Sequence, residues 1–208
     1  MKNIFLVRHG TSLGNIDKSA YYRYSDSDVP ITDDGKVQAY DAGIQIVNLL
    51  GHFTANYEIF YSPYLRTRVT EKLIKNAIKK NSWGDIIIKE TMMPLLIERK
   101  WGQLRDIVNS GEKTEDHFDF FFQPQNGESF FDTFQRVIMF DLWYDNHTVM
   151  DNTIIVGHGE WIKLYLMYKL EWSLDEFQKY KTPRNGQVFW LKDDKLAKET
   201  PLTIKTNI

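Results

Sequence analysis

There is no cysteine among the 208 residues, which excludes disulfide scaffolds, thiolate zinc sites and cysteine nucleophiles together. There is no long hydrophobic run either. The longest near the start is Ile4 to Val7, too short for the core of a signal peptide, and no stretch approaches the ~20 apolar residues of a membrane span. Nor is there an excess of either charge. Twenty-six Lys and Arg against 28 Asp and Glu leave a net charge of −2, without the basic surplus of most nucleic-acid binders. A chain of this length, at roughly 150 residues per domain, is expected to form one domain. What the sequence has in quantity is aromatics, 14% of residues within an apolar total of 42%, enough for a large core and an aromatic-walled pocket. The expectation is a cytoplasmic enzyme or binding protein with no membrane or nucleic-acid partner.

Short β-rich runs alternate with longer helical ones, the pattern of an α/β layered fold. Strands are expected at Ile4–Val7, Tyr57–Tyr61, Ile86–Ile88, Thr153–Val156 and Val188–Leu191, the last ending the sheet at an Asp193-Asp194 turn. A polar loop is expected to run from the first strand to Val29. Thr32 is placed to cap a helix with Asp33 and Asp34 in its first turn and Gly51 at its end. Its inward face reads as Val37, Tyr40, Ile44 and Val47. Ser62-Pro63 opens a second helix striped with Leu65, Val69, Leu73 and Ala77. Ser129 with Asp132, and Ser173 with Glu176, have the spacing of capping boxes. The first opens a helix with Phe131, Phe134, Ile138 and Leu142 along one side, and Glu160 to Leu170 is another helix. Residues 92–127 mix glycine, charge and phenylalanine without a clear period and read as an insertion over one end of the sheet.

Ligands of open α/β sheets bind beyond the carboxyl ends of the strands. After the first strand come Arg8 and His9; after the second, Arg66; downstream of the third, Glu98; after the fourth, His158, between two glycines that let backbone approach a ligand. Arginine forks match phosphate oxygens, an imidazole held at one nitrogen is a nucleophile at the other, and a carboxylic acid protonates a leaving alkoxide. Together they suit phosphoryl transfer through a phosphohistidine, with arginine supplying the charge stabilisation. No histidine pair has the spacing of a helical zinc site, and the Gly-x-Gly at 157–159 fails as a dinucleotide fingerprint because Ile162 stands at the sixth position.

Several segments then fall into one ordered set. Arg8-His9-Gly10-Thr11-Ser12 with Asn15, Ile31-Thr32-Asp33-Asp34-Gly35-Lys36-Val37-Gln38-Ala39, and Ser62-Pro63-Tyr64-Leu65-Arg66-Thr67 come first. Glu98 with Trp101-Gly102, Gly127-Glu128-Ser129, and Val156-Gly157-His158-Gly159 follow. In this order they resemble the phosphoglycerate mutase-like branch of the histidine phosphatase superfamily over nearly the whole chain. The resemblance implies a three-layer α/β/α sandwich with a mostly parallel sheet. It implies His9 as the phosphorylated nucleophile, with Arg8, Arg66 and His158 on the transferring phosphoryl group and Asn15 and Gly159 near it. Glu98 would be the proton donor, the substrate a small phosphorylated molecule, and no metal or cofactor would be required. Thr11, Thr67 and Val69 depart from the family's usual residues and alter the pocket wall.

The cofactor-dependent mutases carry a tyrosine where this chain has Trp101, and a paired arginine that is absent before Gly127. Phosphomonoester hydrolysis is therefore the expected activity. A cofactor-dependent phosphoglycerate mutase and a non-catalytic phospho-ligand-binding member are the alternatives. Arg23 and Arg99 are candidates for a second anionic group on the substrate. The run His117-Phe118-Asp119-Phe120-Phe121-Phe122 is read as a lid or a partner surface, the latter suiting a phosphatase of protein phosphates.

Overall fold

The computed structural model describes residues 2–51, 55–102, 119–148 and 150–199. Its centre is a six-stranded sheet in the order β3-β2-β4-β1-β5-β6. The strands are β1 (Asn3–Arg8), β2 (Tyr57–Tyr61), β3 (Ile88–Met92), β4 (Asn152–Gly157), β5 (Val188–Lys192) and β6 (Lys195–Glu199). The pairs β3-β2, β2-β4 and β4-β1 are parallel, while β5 and β6 are added antiparallel.

Side chains alternate across a strand, and β1 divides accordingly. Phe5 and Val7 enter one core with residues of α3 (Asp33–Leu50) and α4 (Leu65–Asn81). Ile4 and Leu6 enter the other with residues of α5 (Phe130–His147), α6 (Gly159–Lys169) and α7 (Leu174–Lys179). Helices on both faces make the three-layer α/β/α sandwich. The capping expectations correspond to real helix ends. Thr32 Oγ1 accepts from Gly35 N at 3.0 Å, Gly51 closes α3 at φ +83°, and both serine capping boxes are formed.

The helix faces differ from those read in the sequence. In α3 the buried positions are Ala39, Ala42, Gly43, Ile46 and Val47, and Val37 is exposed. The reason is the closeness of α3 to α4: a Cβ on Gly43 would lie 2.6 Å from Ala77 Cβ and 2.7 Å from Ile74 O, so small residues face inward. In α4, Leu65, Val69 and Leu73 are only half-buried, and the inward face carries Arg66, Thr70, Glu71 and Ile74. In α5, Phe131 and Leu142 are exposed and Phe130, Val137, Phe140 and Tyr144 are buried. Phe131, Met139 and Leu142 put apolar side chains on its exposed side as well, so no single stripe is marked in its sequence.

The sheet edges also differ. The third strand lies two residues later than expected, and Leu191 does not end the sheet. Asp193 and Asp194, at φ +48° and +61°, turn the chain into β6. Both edges are charged, with Lys89 and Glu90 in β3 and Lys195 and Lys198 in β6, which protects an edge from further pairing and hides its periodicity. The expected loop before Val29 contains short helices α1 (Leu13–Ile16) and α2 (Ala20–Arg23) and a 3-10 turn at Asp26–Asp28. Residues 103–118 of the expected insertion lie outside the described residues.

One buried acid of α4 has a measurable consequence. Glu71 is buried between α4 and β3, near Lys75, which is itself paired with Glu90. Burial, and then a hydrogen bond shared with Glu90, push the Glu71 carboxyl up to about 8. A folded-state value above the unfolded one gives stability that is present at low pH and lost as pH rises toward 8. Glu71→Gln is therefore expected to flatten the fall in melting temperature between acidic and alkaline pH. Thermal melts across that range check this, and an unchanged slope would remove Glu71 as its cause.

Candidate active site

The chain leaves β1 toward α3 on one face and leaves β4 toward α6 on the other, so the crevice between these two strands is a topological switch point. Arg8 is paired with Gly157 across the β1–β4 ladder, and His9 N donates to Gly157 O at 3.0 Å. Ser62 N donates to Val156 O at 3.2 Å on the other side of β4. Register alone thus brings Arg8, His9, Ser62 and His158 to one rim, and α4 adds Arg66 from its first turn.

His9 is buried, and its Nδ1 lies 2.8 Å from Gly10 O. A carbonyl accepts only, so Nδ1 carries the proton and Nε2 the lone pair. Arg66 Nε donates to that Nε2 at 3.3 Å. Burial, then the charges of Arg66 and Arg8, hold the imidazole well below its ordinary value. His9 is therefore neutral at pH 7 with Nε2 as its free base. Its ring centroid is 5.2 Å from that of His158, which burial and Arg66 also hold well below the ordinary histidine value.

The arginines are fixed by the chain. Arg66 is buried, with Nη2 3.1 Å from Asp26 Oδ1, Nη1 donating to Asp26 O and the guanidinium 4.9 Å from the Tyr64 ring centre. Arg8 Nη1 donates to Pro183 O, while its Nε is buried without a hydrogen-bond partner among the described residues. Gly159 makes that placement possible, since a Cβ there would lie 3.2 Å from Arg8 Cζ and 2.7 Å from Thr182 Cγ2. His158 Nε2 is 2.9 Å from Ser62 Oγ, and His158 Nδ1, too, is buried without a hydrogen-bond partner among the described residues.

Glu98 follows a 3-10 turn at Pro94–Leu96 after β3. Arg136, on α5, donates to Leu95 O at 3.1 Å and Ile97 O at 2.9 Å and is itself held by Glu128, which fixes the segment leading to Glu98. Burial and the neighbouring Glu160 carboxylate push Glu98 up to about 7; Arg8, Arg66 and the Arg99 N–H, which donates to Glu98 Oε1 at 3.1 Å, pull against that rise. Such a group holds a proton at neutral pH and can release it.

The remaining candidates are placed less uniformly. Asn15 Oδ1 accepts from Ser12 N at 3.0 Å and from Asn185 Nδ2 at 3.1 Å, so any donation to an anion comes from its Nδ2. Arg99 and Arg23 each have a carboxylate partner within the chain. Arg99 is buried, donates to both Glu160 oxygens at 2.7 and 3.3 Å, and lies over the Phe130 ring at 4.2 Å. Arg23 is paired with Asp17 at 2.6 Å on the surface. Gln103 to Asp106, His117 and Phe118 lie outside the described residues. Among the described residues no group of three or more His, Cys, Asp or Glu is gathered that could hold a metal ion, and no helix is long and apolar enough to cross a membrane.

Sequence reasoning missed four contributors: Asp26, Ser62 as a partner of His158, Glu160, and Asn185, whose Nδ2 donates to His9 O at 3.0 Å. Ser62 and Glu160 stood within segments already singled out, but nothing local marked their partners. Asn185 and Asp26 are loop residues whose role depends on contacts distant in sequence.

The profile of the histidine phosphatase superfamily (branch 1) matches residues 4–199, and the chain belongs to that superfamily. Two Arabidopsis thaliana relatives are phosphoglycerate mutase-like proteins. AT74 is 31% identical, covering 90% of this chain and 63% of its own; AT74H is 31% identical, covering 86% and 69%. The chain thus spans about two thirds of the length of these curated relatives. Among solved structures, a mycobacterial glucosyl-3-phosphoglycerate phosphatase superposes with TM-score 0.69 at 15% identity, covering 92% of this chain and 90% of that one. A phosphoserine phosphatase of Entamoeba histolytica, in complex with 3-phosphoglyceric acid, gives 0.66 at 19% identity, covering 98% of both chains. At these identities the structures establish the fold.

Proposed function

We propose that the chain hydrolyses small phosphate monoesters through a phosphohistidine on Nε2 of His9, without a metal or cofactor. The observation that carries this is the neutral His9, its Nδ1 fixed on Gly10 O and its Nε2 lone pair beside Arg66. Nε2 attacks phosphorus as the bond to the ester oxygen breaks, and Glu98 gives its proton to that oxygen. The ionised Glu98 then takes a proton from a water molecule. The water oxygen bonds to phosphorus, the P–N bond breaks, and inorganic phosphate leaves with His9 restored. Arg8, Arg66 and His158 face the equatorial oxygens, where charge stabilisation does most of the work of phosphoryl transfer. The unpartnered Arg8 Nε and His158 Nδ1 support an oxyanion seat, because buried polar atoms are costly unless matched.

The test is hydrolysis of phenyl phosphate by the purified protein in excess EDTA with no bisphosphate added. Release of phosphate is expected. Activity appearing only after a bisphosphate primer is supplied would replace this reading with a mutase. Tight binding of the ester without turnover would replace it with a non-catalytic member.

A further inference from the structure

A cavity of about 260 Å³ lies among the start of α5, Lys163 of α6, the end of α7 and the chain that follows it, and the chemistry above does not use it. Phe130, Phe177 and Tyr180 give it aromatic walls, and Lys163, Lys179 and Lys181 also line it. Lys163 is the unusual member. It is only 8% exposed, and its Nζ lies 4.1 Å from the centre of the Phe177 ring. No hydrogen bond or ion pair joins that ammonium to any described residue. The carboxylate one turn earlier, Glu160, is taken up by two hydrogen bonds from Arg99. A ring face attracts a cation but accepts no strong hydrogen bond, so the ammonium remains short of an acceptor. Lys163 Nζ is not among the buried side-chain atoms left without a partner, so solvent in the cavity reaches it, and an anion that replaces this water gains a charge-assisted contact. The rim is of the same sign, with Lys179 and Lys181 both exposed.

We infer that this cavity is an anion site: it takes the carboxylate or phosphate group of an aromatic or otherwise apolar ligand, anchored on Lys163 Nζ, with the ligand's apolar part against Phe130 and Phe177. Thr182, which also lines the cavity, packs against Gly159, and the neighbouring Pro183 O holds Arg8. One short segment therefore borders both this cavity and the phosphoryl seat. The site stands apart from the phosphatase reading. Only the source of its anion, the far end of the substrate or a separate small acid, rests on that reading.

The probe is benzoate, titrated calorimetrically into the wild type, Lys163→Met and Lys163→Arg. Lys163→Met, of similar length and without charge, is expected to weaken benzoate by about tenfold or more, the loss of one charge-assisted contact. Lys163→Arg is expected to keep most of the affinity, and both variants to keep the wild-type melting temperature and phenyl phosphate turnover. Equal affinity in all three proteins, or no binding to the wild type, overturns the site. If binding depends on Lys163, competitive inhibition of phenyl phosphate turnover assigns the anion to the substrate's far end, and non-competitive inhibition assigns it to a separate acid. Lys163-dependent binding in a protein that hydrolyses nothing would uphold the site while the phosphatase reading fails.

Discussion

Alanine in place of His9 is expected to lower phenyl phosphate turnover on the order of 10⁴-fold or more, the loss seen when a covalent nucleophile is removed while the binding groups remain. The geometry gives little room for a substitute. The other imidazole of the site, His158, has Nε2 on Ser62 Oγ at 2.9 Å, and it is His9 whose Nε2 stands beside Arg66 Nε at 3.3 Å. The loss is expected in kcat far more than in KM, because without His9 the guanidinium of Arg66 still has both its contacts to Asp26 and Arg8 still has Pro183 O. Rapid acid-free quenching with labelled substrate should trap a phosphorylated protein in the wild type and none in the variant, with equal melting temperatures as the control for folding. Undiminished turnover in His9→Ala would end the phosphohistidine mechanism.

The charged centre of this site was legible in the sequence because each of its members follows a strand, and a parallel sheet delivers strand ends to one rim. Arg8, His9, Arg66, Glu98 and His158 could be listed from chain order alone. Partnership was not legible. Arg99 was a candidate for a second anionic group, yet it is matched by Glu160, 61 residues away, and no local pattern reports a counter-charge at that separation. Asn185 and Asp26 were invisible for the same reason. In the fold, caps were legible because they are local: Thr32 with Gly35, Ser129 with Asp132, Ser173 with Glu176. Helix faces were not, because the inward side of α3 is chosen by the fit of Gly43 against Ala77 rather than by the size of Val37 or Tyr40. The hairpin to β6 was hidden by the charge that makes it a safe edge.

Glu98→Gln is expected to separate substrates by their leaving groups. An alkyl phosphate, whose alkoxide needs a proton as the P–O bond breaks, should lose about 10²- to 10⁴-fold, the usual contribution of a positioned acid. A 4-nitrophenyl ester, which leaves as a stable anion, should lose far less from that step. The same residue sets a pH dependence. With Glu98 pushed up to about 7, its acid form is lost as pH rises through neutrality, so alkyl phosphate turnover should fall on that side. Glu160 is a principal cause of the rise after burial. Glu160→Gln removes the like charge and leaves Arg99 without its carboxylate partner, and both changes favour ionised Glu98. The alkaline limb should therefore move to lower pH in Glu160→Gln and disappear in Glu98→Gln. Rate–pH profiles on the two esters check both statements: equal losses on both substrates, or a limb unmoved by Glu160→Gln, would take the acid role from Glu98 and leave the arginines and His158 as the whole of the stabilisation that the leaving oxygen receives.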